Sequence, residues 1–227
     1  RVSERTDELL RANEILKAEI QERKRFEAAI QLANRKLHTL SSITRHDILN
    51  QVTAIVMYIS MTEEMNTDPQ VGQNLRKINE ITSLILRQIR FTRDYQNIGT
   101  SAPSWQEVDR VVEDARKDLG SVDIPVEKVL DGLEIYADLL LGKVFLNLID
   151  NTVRHGKNAT LIRVMYRRED DDTLTLLFED NGVGIPDSVK EKIFRREFYR
   201  NTGYGLYLSK EILSSTGLVI RETGVSG

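Results

Sequence analysis

The stretch Arg45-His46-Asp47-Ile48-Leu49-Asn50 sets a histidine, an acid and an amide together. Imidazole titrates near neutral pH, so it can attack phosphorus and later leave from it. Asp47 can accept a hydrogen bond from the imidazole Nδ1–H, which keeps Nε2 free as the nucleophile. Asn50, three residues after Asp47, falls on the same helical face. Taken alone, such a trio is more often a polar stretch on a bundle helix, because short motifs recur by chance. His38 lies on the same helix with no carboxylate beside it.

Three further motifs follow in order. Asn147-Leu148-Ile149-Asp150-Asn151 puts two amides four residues apart, on one face of a helix. An amide oxygen is a neutral hard ligand, suited to a Mg²⁺ ion that also binds phosphates and water. Arg154, on the next turn, can reach a phosphate, and His155 can pack against a sugar or base. Asp180-Asn181-Gly182-Val183-Gly184 closes a strand pattern, and its carboxylate can accept from the exocyclic amine of adenine. Gly182 and Gly184 let backbone approach a ligand with no Cβ in the way. Gly203-Tyr204-Gly205-Leu206 opens a helical stretch whose amides can cradle phosphates. Neither glycine motif has Walker A spacing, which excludes a P-loop enzyme.

These motifs need elements to carry them. Residues 1 to about 97 hold one proline and one glycine, both near Asn66–Gly72, and apolar residues on either side recur at helical steps. The pattern predicts a helix to about Met65, a turn, and a second helix with Leu75, Ile78, Ile81, Leu84, Ile85, Ile89 and Phe91 as its apolar stripe. Leu9, Asn13, Leu16 and Ile20 fit heptad core positions; Phe26, Ile30, Ala33, Leu37 and Leu40 continue in a shifted frame. A polar helix with such a seam is expected to dimerise, and two hairpins would make a four-helix bundle. Residues 98–104 read as a linker. Beyond it, helices are expected over Glu107–Leu119, Ala137–His155, Ser188–Phe194 and Gly205–Ser214. Strands are expected over Val122–Val129, Leu133–Tyr136, Leu161–Tyr166, Leu174–Phe178 and Leu218–Glu222. That mixture indicates an α/β sandwich.

Composition narrows the class. The 227 residues are 40% apolar, enough for at least one sizeable core. A net charge of -3 gives no basic excess, so a nucleic-acid surface is not expected. Cysteine is absent, which excludes disulfides and thiolate metal sites. No apolar run is long enough to span a bilayer. The first residue is Arg1 rather than Met, so a fragment is expected, with its C-terminal end truncated too.

Together the four motifs resemble the catalytic core of sensor histidine kinases, over nearly the whole chain. Asn147, Asn151, Arg154 and His155 match the family's N box, Asp180-Asn181-Gly182-Val183-Gly184 its G1 box, and Gly203-Tyr204-Gly205-Leu206 its G2 box. Ile193-Phe194-Arg195-Arg196-Glu197-Phe198 looks like the F box. The pocket is shared with type II topoisomerases and mismatch-repair ATPases; the hairpin carrying His46 separates the kinase.

The resemblance implies an α plus α/β fold: a dimeric coiled coil and four-helix bundle, then an α/β sandwich ATP-binding domain of the GHKL (Bergerat) type. The implied domains are a signal-transmitting coil (1–37), a dimerisation and phosphotransfer hairpin (38–97), a linker (98–104) and the ATP-binding domain (105–227). It makes His46, Asp47 and Asn50 catalytic, and Asn147 and Asn151 ligands to Mg²⁺. ATP contacts fall to Asn147, Asn151, Arg154, His155, Asp180, Gly182, Gly184, Arg200, Gly203, Gly205 and Leu206. Arg200 is preferred over Arg195 and Arg196 as the γ-phosphate contact. Implied partners are a second copy and a response-regulator receiver domain. An upstream sensor module would attach the chain to the cytoplasmic side of the cell membrane. In the family, an acid followed three residues later by Asn marks members that also dephosphorylate the regulator, through water positioned by the amide.

The chain departs from the family at Gln51, where many bacterial kinases have a helix-bending proline, at Tyr204 for Leu, at Arg154 for Lys, and in a short lid after Phe198. Arg-His-Asp-Ile-Leu-Asn-Gln is similar to kinases of methanogenic archaea. The alternatives are a nonenzymatic nucleotide-binding scaffold or a member acting chiefly as a phosphatase.

Overall fold

The computed structural model describes residues 2–120, 122–170, 173–195 and 204–225, and only the backbone of residues 2–10 and 12. Two compact units divide the chain, residues 1–82 and 83–227.

The first unit is built on helix α1 (Val2–Met65) and the first half of α2 (Pro69–Asn97). At ~1.5 Å per residue, α1 runs on the order of 100 Å. Its end is written locally. Asn66 Oδ1 accepts from the Asp68 amide at 3.0 Å while its Nδ2 donates to the Asp68 carbonyl at 2.8 Å. Asp68 in turn caps α2, accepting from the Gln70 amide at 2.8 Å, with Pro69 at the first helical position where no N–H is needed. Val52, Ile59, Leu75 and Thr82 are buried. The heptad-like residues Leu16, Ile20, Phe26, Ile30, Leu37 and Leu40 are all exposed in the single chain. The side chain of Leu9 lies outside the described residues.

The second unit begins within α2, because Phe91 and Ile98 pack against its core, whereas composition alone points to 98–104. Strand β1 (Ser104–Glu107) runs directly into helix α3 (Val108–Asp118). After β2 (Val126–Val129) and β3 (Glu134–Ala137) comes helix α4 (Leu141–His155). Strands β4 (Ile162–Arg168) and β5 (Leu174–Asp180), the short helix α5 (Asp187–Lys190) and helix α6 (Tyr204–Ser214) follow. β1 pairs antiparallel with β3, Trp105 facing Tyr136. β2 runs parallel to β4, which pairs antiparallel with β5. Helix α4 packs between α3 and α6. Val108, Val112, Leu141, Phe145, Ile149, Ile162, Val164 and Ile212 form the centre of one core, the α/β layering expected.

Each difference from expectation has a physical cause. β1 carries the residues placed at the linker's end and the start of a helix; its pairing with β3 is non-local. The helix expected from Ala137 starts at Leu141 because Ala137 completes β3 and Asp138 turns the chain. β2 starts after Pro125, which has no amide to donate; its carbonyl accepts from Ile162 at 3.0 Å. The strand expected over Leu218–Glu222 does not form. Gly217, at φ +78°, instead ends α6 in a left-handed cap. The Leu218 amide bonds the Leu213 carbonyl at 3.0 Å and the Gly217 amide bonds Ser214 at 3.1 Å. Leu218 is thus used by the cap and its contact with the core.

Candidate functional site

His46 sits on the exposed surface of α1, its side chain 74% exposed. Asp47 Oδ1 lies 3.3 Å from His46 Nδ1, and Asn50 Nδ2 lies 3.4 Å from the same nitrogen. Nδ1 can serve only one of them at a time. With Nδ1 protonated it donates to Asp47, which leaves the Nε2 lone pair outward; with Nδ1 bare it accepts from Asn50. An amide turned about its axis would offer oxygen instead, so Asn50 can follow either tautomer. The carboxylate, an acceptor only, favours the tautomer in which Nε2 is nucleophilic.

In the second unit, α4 and the turn after β5 meet at a carboxylate. Asp180 Oδ1 accepts from the Gly182 amide at 2.9 Å and Oδ2 from the Thr152 hydroxyl at 2.9 Å. The residue itself remains exposed, so further lone pairs face outward. Asn181 stitches the other side: its Oδ1 accepts from the amides of Thr160 and Leu161 at 2.8 and 3.0 Å, and its Nδ2 donates to Thr160 Oγ1 at 2.8 Å. A Cβ on Gly182 would meet Asp180 Oδ1 at 2.7 Å and the Gly156 backbone at 2.8 Å, so glycine here is a packing requirement. Gly184 adopts φ +67°, the left-handed region.

Asn147 Nδ2 donates to the Gly205 carbonyl at 3.0 Å and to Ser209 Oγ at 3.2 Å, which anchors the first turn of α6 to α4. A Cβ on Gly205 would press on the Asn147 amide at 3.3 Å. The side-chain amide of Asn151, half-buried one turn on, makes no hydrogen bond to a described residue, so it remains available to a ligand. Among the described residues no group of three or more His, Asp or Glu could hold a metal ion alone. Amide oxygen suits a divalent cation that also binds phosphate and water, and Asn151 could offer one. Arg154 Nε donates to Asp150 at 2.7 Å along the helix surface, and His155 is exposed at its end. Leu206 is half-buried on α6. Arg200 and Gly203, with Arg196 and Phe198 of the expected F box, lie outside the described residues.

The start of α6 has a second support that sequence motifs did not reveal. Tyr204 stacks on Phe91 with ring centroids 4.5 Å apart, and Tyr207 stacks on Tyr95 at 6.2 Å. Such pairs add about 0.5–1.5 kcal/mol each beyond area burial. Asp138, 3% exposed, was also missed; it accepts from the Gly99 and Leu140 amides at 2.8 Å each. A lone Asp before a helical run was the only available signal.

Residues 137–225 match the family described as Histidine kinase-, DNA gyrase B-, and HSP90-like ATPase. Over 198 residues the chain is 28% identical to Signal transduction histidine-protein kinase AtoS of Escherichia coli (strain K12), covering 80% of this chain and 32% of AtoS. It is 24% identical over 235 residues to Signal transduction histidine-protein kinase/phosphatase MprB of Mycobacterium leprae (strain TN), covering 95% of this chain and 44% of MprB. The chain thus spans less than half the length of these relatives. The crystal structure of full-length ShkA in complex with AMPPNP shares the fold, with a TM-score of 0.54 and 12% identity over 78% of this chain and 41% of that one. Among the described residues no helix is long and apolar enough to cross a membrane. Residues 137–225 thus form an ATPase domain of this family, after helices that bear His46, and over most of its length the chain is similar to sensor histidine kinases.

Proposed function

We propose that this chain is the dimeric autokinase core of a two-component sensor, which phosphorylates His46 from ATP and passes the phosphoryl group to a response-regulator aspartate. The carrying observation is His46 itself: exposed, with Asp47 at Nδ1, on a chain whose second unit is an ATPase domain. Asp47 holds the tautomer. His46 Nε2 then attacks the γ-phosphorus in line; the N–P bond forms as the bond to the bridging oxygen breaks, and ADP leaves with that electron pair. Asp180 accepts from the adenine amine, Gly182 and Gly184 admit the base, and Gly205 and Leu206 line the phosphates, a role the resemblance also gives to Gly203. Asn151, with Asn147, presents amide oxygen to Mg²⁺, which when bound neutralises phosphate charge. Arg154 contacts phosphates, a role the resemblance also gives to Arg200, and His155 packs on the nucleoside. Positioning and charge neutralisation supply most of the rate.

The domain scheme of coil (1–37), hairpin (38–97), linker (98–104) and catalytic domain (105–227) belongs to the same reading. The exposed apolar residues of α1 would be covered by a second copy, and the whole would act on the cytoplasmic side of a membrane. Asn50 suits a second activity, regulator dephosphorylation, and a relative named kinase/phosphatase supports it.

Incubation with γ-labelled ATP tests the reading. Acid-labile, base-stable label is expected on the wild type, none on His46→Gln with ATP affinity retained, and little on Asn151→Ala. Label on His46→Gln at the wild-type level would overturn it; ATP binding without any label on the wild type would leave a nucleotide-binding scaffold.

A further inference from the structure

Thr152 follows Asn151 directly, and no nucleotide-pocket role attaches to it from the motif alone. It is 2% exposed. Its hydroxyl reaches across 28 residues of sequence to Asp180 Oδ2 at 2.9 Å. A longer contact, 3.3 Å to the Leu148 carbonyl, is the back-bond that threonine makes within a helix. A hydroxyl has one proton to give, and the shorter contact to the charged acceptor takes it. On the other oxygen the Gly182 amide donates at 2.9 Å. The carboxylate is therefore held from both sides, by α4 and by its own turn, while its outer lone pairs stay open.

We propose that Thr152 is a positioning residue that makes this pocket select 6-aminopurine nucleotides over 6-oxopurine ones. The proposal rests on the reading of Asp180 as the adenine acceptor. The Gly182 N–H, the Thr152 O–H and a 6-amino group are all donors, so one carboxylate satisfies the three at once. A 6-oxo group brings a lone pair toward the same oxygens and is repelled. Without the Thr152 hydroxyl, the carboxylate is fixed from the Gly182 side alone and can rotate out of line with the base. Selectivity then falls even though no atom touching the base has been removed.

The test is calorimetric titration of the full chain with ADP and with IDP, in Mg²⁺, for wild type, Thr152→Val, Thr152→Ser and Asp180→Asn. Valine keeps the shape and loses the proton; serine keeps the hydroxyl in a smaller side chain. Thr152→Val is expected to weaken ADP about tenfold, with IDP little changed, so the preference for ADP drops by the same factor. Thr152→Ser is expected to restore most of that preference, which a packing role would not do. If valine weakens both nucleotides alike, or leaves their ratio at the wild-type value, Thr152 only fills space and the proposal is overturned. Asp180→Asn separates the two levels. If it collapses the preference while valine does not, the reading of Asp180 stands and the proposal about Thr152 fails. If the ratio survives Asp180→Asn, the reading of Asp180 fails and takes the proposal with it. Should valine not fold, a serine variant that folds but has lost the preference overturns the proposal, and one that keeps it supports it.

Discussion

Gly182 and Gly156 approach so closely that a methyl group on Gly182 would sit 2.8 Å from both the Cα and the carbonyl oxygen of Gly156. The turn after β5 is thereby seated on the end of α4, and the Asp180 carboxylate is aimed by that contact. Gly182→Ala should force the two backbones apart, at about 1–3 kcal/mol of overpacking strain. The expected result is a lower unfolding temperature and loss of most ADP affinity in titration. An alanine variant with both unchanged would show that the turn can shift without consequence.

Asp138 offers a test of how the second unit is held. Its carboxylate, almost fully buried, receives the Gly99 and Leu140 amides. Asp138→Ala leaves two donors unpaired and should cost about 2–3 kcal/mol. Urea unfolding should show the midpoint falling, with Asp138→Asn intermediate because one carbonyl oxygen survives. A midpoint equal to wild type would mean that water replaces the carboxylate at no cost.

Asn50→Ala should separate two activities of one helix face. Autophosphorylation of His46 persists, because Asp47 still holds Nδ1. Dephosphorylation of the cognate regulator slows, on the order of tenfold or more, because no amide orients the attacking water. The measurement is the half-life of phosphorylated regulator with each variant. Equal half-lives would reduce Asn50 to a surface residue of the hairpin.

A hydrogen bond from Arg116, aided by the charges of Arg116 and Lys128 and opposed by slight burial, holds the Glu113 carboxyl below its ordinary value. A folded-state value below the unfolded one stabilises fully above the unfolded value. That contribution disappears as pH falls through the folded value. Glu113→Gln should therefore lower stability at neutral pH slightly and flatten the acid side of a plot of unfolding temperature against pH. Solvent screening keeps the effect small. Parallel curves for the two proteins would remove Glu113 from the acid response.

The long helices of the first unit, the α/β character of the second and the order of its motifs are legible in the residues alone. These depend on period, capping residues and short-range spacing, all carried by neighbours along the chain. Asp68 before Pro69 caps the second helix through bonds within three residues. What joins distant residues depends on the packing of the folded chain. Ser104–Glu107 became a strand because Glu134–Ala137 lay beside it. Tyr204, a departure from the family's leucine, stacks on Phe91, and the Thr152 hydroxyl bonds Asp180; neither contact is written in a motif. Periodicity says which face of an element is apolar. Which polar atom on one element meets which on another depends on the packing of both against a shared core, and no local pattern contains that.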